Sequence, residues 1–143
     1  MRFSGIMSRR SWLRLLGEEW STLDNLYEWR DMLRELLPRR PTLLLMDEDE
    51  RAAWRELPDI VTIYRGCSEV NLNGLSWSLC PEIASKFPAL MRYLPPKGRR
   101  PLLVTGEVAK RRVIAVKLDR KEREIVTFHA RQVAVEYLTL PAR

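Results

Sequence analysis

"LLVTGEVAKRRVIAVKLDRKEREIVTFHARQVAVEYLTL", residues 102 to 140, decides the fold. Four of its segments, LLVTGEVA, RRVIAVKL, REIVTFH and QVAVEYLTL, are rich in β-branched and aromatic residues that alternate with polar ones at period two, which predicts four strands. Their connections are very short, so neighbouring members are expected to run antiparallel. Further upstream, DIVTIYRG (59–66) reads as a short strand ended by Gly66 and GLSWSL (74–79) as another, with CSEVNLN as the polar turn between them. PEIASKFPALMRYL (81–94) predicts a helix that opens on proline and carries Pro88 as a bending point, and PPKGRRP is a basic loop.

Before residue 58 the period lengthens to that of helices. Trp12, Leu15, Leu16 and Trp20 recur at three to four residue intervals, as do Leu23, Leu26, Trp29, Leu33, Leu36 and Leu37. Ser21 or Thr22 can cap the second helix and Pro38 stops it; DEDERAAWREL (47–57) is a third helix, opened by acids and closed by Pro58. The tryptophans read as core anchors, with base stacking as the alternative. The expected architecture is α+β: a helical segment, 1–57, packed on a mostly antiparallel two-sheet core, 58–143, within one compact domain.

The totals bound the function. The chain has 143 residues, 45% of them hydrophobic, enough for one core. No run of eighteen apolar residues occurs and the amino terminus lacks a signal-peptide pattern, so the expectation is a cytoplasmic protein without a membrane span. Two cysteines, Cys67 and Cys80, are too few for a disulfide scaffold, and with His129 as the single histidine a zinc site is discounted; no metal is expected. His129 reads as an ordinary strand-end residue. Charge is uneven: residues 1–57 hold ten basic and eleven acidic side chains, whereas 58–143 hold fifteen and eight, a net +7. Such a field suits a phosphate-bearing partner, a nucleotide or a nucleic acid, or serves as a solubilising surface.

Strand alternation says which polar side chains can meet. Val61, Ile63 and Arg65 share a face, Ser76 and Ser78 share another, and Glu122 and Glu124 project together. Each has a plain reading, as an ion-pair arginine, polar strand residues and a solvated edge. In order and context they resemble the arginine, serine, glutamate class of ADP-ribosyltransferases, marked by an aromatic-Arg-Gly strand, a Ser-Thr-Ser strand with a following helix that carries an aromatic, and a late Glu-x-Glu strand. The sequence supplies YRG at 64–66, SWS at 76–78, Phe87 on the next helix and ERE at 122–124; Trp77 stands where threonine is usual. The likeness covers 59 to about 138 and is nearest to small bacterial and phage-encoded members.

That resemblance implies an enzyme that cleaves the nicotinamide–ribose bond of NAD and passes ADP-ribose to a protein, with no metal. Glu124 would stabilise the oxocarbenium-like cation at the ribose, and Glu122 would orient or deprotonate an arginine acceptor. Arg65 would hold a phosphate through its planar donor fork. Gly66 would let its backbone approach the nicotinamide amide, Ser76 would orient Glu124 or hold the ribose, Ser78 would line the cofactor site, and Phe87 would stack on the ring or serve as a core aromatic. Lys86, Arg120, Lys121 and Arg123 would offset the diphosphate. Two rivals remain: a catalytically degenerate form of the same fold that only binds, and a basic nucleic-acid-binding module resting on KGRRP and KRR. No phosphate-loop or dinucleotide glycine motif is present.

Overall fold

The computed structural model of the chain describes residues 8–20, 26–68, 75–90, 101–118 and 123–138, giving the backbone alone at 26–30, 68 and 86–90. Its front is helical. Helix α1 spans Arg9–Glu18 and is capped by Ser8, whose hydroxyl accepts the Ser11 N–H at 3.1 Å. Trp12, Leu13 and Leu16 face inward with Trp20 just past the helix, whereas Leu15 is 43% exposed. The buried stripe therefore runs through Leu13 rather than Leu15, because at 100° per residue Leu15 falls on the outer flank of the Trp12–Leu16–Trp20 row.

Helix α2 spans Leu26–Leu36, burying Leu33 and stopping ahead of Leu37 and Pro38. The expected caps Ser21 and Thr22, and Leu23, lie outside the described residues. A 3-10 turn at Leu43–Leu45 leads into helix α3, Glu48–Arg55. Its amino end is a reciprocal capping box: the Glu50 N–H donates to Asp47 Oδ1 at 2.8 Å, and the Asp47 N–H to Glu50 Oε1 at 2.9 Å.

Next come β1 (Ile60–Ser68), β2 (Ser76–Ser78), α4 (Pro81–Leu90), β3 (Pro101–Ala109), β4 (Ala115–Lys117), β5 (Glu124–Val126) and β6 (Arg131–Tyr137). Among the described residues these strands form one antiparallel sheet in the order β4-β5-β2-β1-β3-β6. The fold is α+β as expected, but it has one sheet in place of two, because β2 pairs with both β1 and β5. Even so, the join is narrow. The β1–β3 ladder runs over nine residue pairs from Ile60↔Ala109 to Ser68↔Pro101, while among the described residues β1 and β2 register at Tyr64↔Ser78 alone.

Two further expectations are corrected. Gly66 does not end β1; the strand continues to Ser68 because β3 offers hydrogen-bonding partners along its whole length. Of the late strands taken as antiparallel neighbours in sequence, β4 and β5 pair, but β3 and β4 lie in different halves of the sheet, as do β5 and β6. A 3-10 turn at Lys110–Arg112, pinned by the Lys110 N–H to the Asp59 carbonyl at 2.9 Å, carries the chain across after β3.

Front and sheet share one apolar core, in which Trp12, Leu16, Leu33, Leu37 and Leu45 join Val61, Ile63, Trp77, Val104, Ile114, Val116 and Ile125. Polar contacts fix the docking. The Trp54 indole donates to the Val113 carbonyl at 3.2 Å and the Thr42 N–H to the Ile114 carbonyl at 2.8 Å. Lys117 on β4 is buried too, 3% exposed, and its ammonium donates to the carbonyls of Gly17 (3.0 Å) and Leu45 (2.7 Å) and to Glu50 Oε1 (2.9 Å). The other Glu50 oxygen accepts the Leu118 N–H at 2.9 Å, so one buried ion pair ties α1, the 43–45 turn and α3 to the sheet. Among the described residues no helix is long and apolar enough to cross a membrane.

Candidate active site

The seam between the two halves of the sheet brings together three of the residues singled out in the sequence. Ser76 opens β2 and Glu124 opens β5, and the antiparallel register sets Ser78 opposite Glu124, with Ser76 a diagonal neighbour on the same face. The Ser76 hydroxyl donates to Glu124 Oε2 at 2.5 Å, the short separation of a charge-assisted O–H···O bond. Arg65 arrives from β1. By alternation it leaves on the side of Val61 and Ile63, and Tyr64 is the register partner of Ser78. Its guanidinium nevertheless reaches the end of β2 and donates to the Ser76 carbonyl at 2.7 Å.

Burial pulls the Arg65 guanidinium below its ordinary range, opposed by neighbouring Cys67 and then by the Glu124 carboxylate. The Cys67 thiol two residues along is pushed up by its own burial and drawn back by Arg65. The group is thus a carboxylate, a hydroxyl and a guanidinium within mutual electrostatic reach, in partly dehydrated surroundings that strengthen their interaction.

A fourth member comes from the helical front. The Trp20 indole N–H donates to the same Glu124 Oε2 at 3.0 Å, and Trp20 is only 3% exposed. Two donors on one carboxylate oxygen fix the side chain's orientation. Spacing alone marked Trp20 as a core anchor; its partner lies 104 residues away, which no local pattern reveals.

The other expected site residues fall as follows. Gly66 is partly buried within β1, in register with Leu103. The Ser78 hydroxyl is engaged by the turn into α4, donating to the Cys80 carbonyl at 3.1 Å and accepting the Cys80 N–H at 3.0 Å. Phe87 and Lys86 lie on α4, whose side chains from 86 onward are outside the description, and Glu122, Arg120 and Lys121 lie outside the described residues. Arg123 is exposed and lines a hollow of about 440 Å³ with Leu79, Cys80, Pro81, Glu82 and Ile83. That hollow adjoins Glu124 through the chain but is lined by none of Arg65, Ser76 and Glu124.

The chain matches no family model, no curated protein and no solved structure. The chemistry of the group therefore rests on its own residues. Among the described residues no set of three or more histidine, cysteine or acidic side chains is placed to hold a metal ion. What the arrangement provides is a preoriented negative charge beside a positive one, at the junction of three strands.

Proposed function

We propose that this chain is an NAD-dependent mono-ADP-ribosyltransferase with an ADP-ribosyltransferase-like core, transferring ADP-ribose to a protein through an arginine side chain. The observation that carries the reading is the chain of contacts from Arg65 to the Ser76 carbonyl and from the Ser76 hydroxyl to Glu124. Its three members come from the three strands, in the order that the family's motifs require.

In this reading NAD is the substrate. Nicotinamide departs with the bonding electron pair, leaving positive charge on the ribose, and the Glu124 carboxylate stabilises that charge as it develops. Ser76 and Trp20 keep the carboxylate aimed, so no reorganisation is needed at the moment of bond breaking. Arg65 supplies charge toward the diphosphate. The acceptor guanidinium passes a proton to Glu122 as its nitrogen bonds to the ribose carbon.

A second reading, a form of the fold that binds without turnover, draws on Trp20, whose buried indole already occupies one carboxylate oxygen. Incubation with labelled NAD and a cell lysate separates the two. Label transfer, or release of nicotinamide, is expected from the parent and is reduced about 10²- to 10³-fold in Glu124→Gln. NAD binding with neither outcome favours the silent form; a parent that ignores NAD overturns both.

A further inference from the structure

A second constellation lies at a different corner of the molecule and shares no residue with the Arg65–Ser76–Glu124 group. Phe128 follows β5, and the Arg39 guanidinium carbon sits 3.9 Å from its ring centroid, with that of Arg34 at 5.9 Å. Beside it, Arg112 Nη1 and His129 Nε2 are 3.1 Å apart. Arginine keeps its protons, so Arg112 donates, and Nε2 of a neutral imidazole accepts. Arg34, Arg39, Arg112 and His129 are all exposed.

The corner is built on a fixed base. Thr127, fully buried, donates its hydroxyl to the Arg112 carbonyl at 2.8 Å and accepts the His129 N–H at 3.1 Å, joining the 110–112 turn to the 127–129 segment. Part of the positive charge has an internal use: Arg34 lies in the last turn of α2, and Arg39 donates to the Leu37 carbonyl at 3.3 Å, where a helix carboxy terminus favours cations. Arg112 and His129 have no such reason to be there. Among the described residues the ion pairs, Lys117–Glu50 and Arg131–Glu107, involve none of the four. Cations that pair with no carboxylate among the described residues repel one another, and an external anion relieves that repulsion.

We propose that Arg34, Arg39, Arg112 and His129 around Phe128 form a docking site for the phosphate backbone of a single-stranded nucleic acid. Three guanidiniums, with an imidazole that can gain a proton beside them, exceed what one phosphate group requires, whereas a chain of phosphates engages several at once and gains from counterion release. The exposed guanidinium over the Phe128 ring offers a planar surface on which a base can stack. A lipid surface fits less well: among the described residues, the exposed large apolar side chains Leu15, Leu43, Ile60, Val133, Val135 and Tyr137 all lie off the segments that carry the cluster.

Binding of a fluorescein-labelled oligodeoxythymidylate, followed by anisotropy across a salt series starting at about 50 mM, tests the proposal. The parent is expected to bind, and Arg39→Gln with Arg112→Gln to weaken binding about tenfold and flatten the log–log salt slope by about 1.4, twice the increment of ~0.7 for each phosphate contact on a single strand. Arg131→Gln removes one equal charge from the Glu107 ion pair on β6 and is expected to change the affinity less than about twofold. No binding at the lowest salt, equal losses in the control and the double variant, or tighter binding to anionic phospholipid vesicles than to the oligonucleotide each overturns it.

The unsubstituted protein gives an independent measurement. His129 is the chain's single histidine, and burial, Arg112 and Arg39 hold its pKa below the usual histidine value. Bound phosphates favour the imidazolium, so the midpoint of its ring proton resonance is expected to rise at saturation and affinity to increase as pH falls through it. A midpoint unmoved by saturating oligonucleotide overturns the proposal.

Discussion

Glu124 accepts two hydrogen bonds on one oxygen, from a serine 48 residues away on the neighbouring strand and from a tryptophan of the helical front. Trp20→Phe keeps an aromatic ring in the core but removes the donor together with part of the buried indole. Hydrogen bonds to charged groups contribute about 1.5–3 kcal/mol, so a urea melt is expected to show a loss within that range with an unchanged far-UV spectrum. A loss indistinguishable from zero would mean that the bond to Glu124 contributes nothing to stability. Arg65, Ser76 and Glu124 were legible as individuals because each sits in a short motif on a strand, Ser76 and Glu124 at the openings of β2 and β5 and Arg65 within β1. Trp20 and Lys117 were not. A position on an apolar stripe or in an apolar run gives the face of an element, while the partner across that face is set by tertiary docking.

At the level of elements, period two located each of the six described strands, and period 3.6 located the four α-helices described, because both periods follow from backbone geometry. Pairing was less readable. Short connections suggested that β3 would lie beside β4, but the Lys110–Arg112 turn redirects the chain, and nothing in KRR announces a crossing. The approach of α1 to the 43–45 turn was hidden for a similar reason. A Cβ on Gly17 would lie 2.6 Å from the Leu45 carbonyl oxygen and 2.8 Å from its carbon, both backbone atoms that cannot swing aside. Gly17→Ala, which in an open helix gains about 1 kcal/mol, is therefore expected to lose about 1–3 kcal/mol by calorimetry as α1 is pushed outward. A stabilised variant would show that α1 has room to shift.

For the molecule as a whole, the Lys117–Glu50 pair is where the front and the sheet are joined. Lys117→Met leaves the Glu50 carboxylate buried without its partner, at an expected cost of about 3–5 kcal/mol in chemical denaturation. Adding Glu50→Leu removes that stranded charge yet is expected to recover only part of the loss, since the Leu118 and Asp47 N–H groups lose their carboxylate acceptor and the carbonyls of Gly17 and Leu45 lose the ammonium. Full recovery would mean the ammonium's backbone contacts are worth little. The composition hinted at a division of charge between the two parts of the chain but gave no sign of this bolt, because one lysine in VIAVKL looks like any strand end facing water.

The narrow meeting of β1 and β2 bears on how the proposed enzyme would open and close. With Tyr64↔Ser78 the single β1–β2 rung among the described residues, any tilt of one half of the sheet against the other would move Arg65, on one bank, relative to Ser76 and Glu124 on the other. The span from guanidinium to carboxylate is then a built-in gauge of that tilt, and a pair of spectroscopic labels flanking the rung would read it directly.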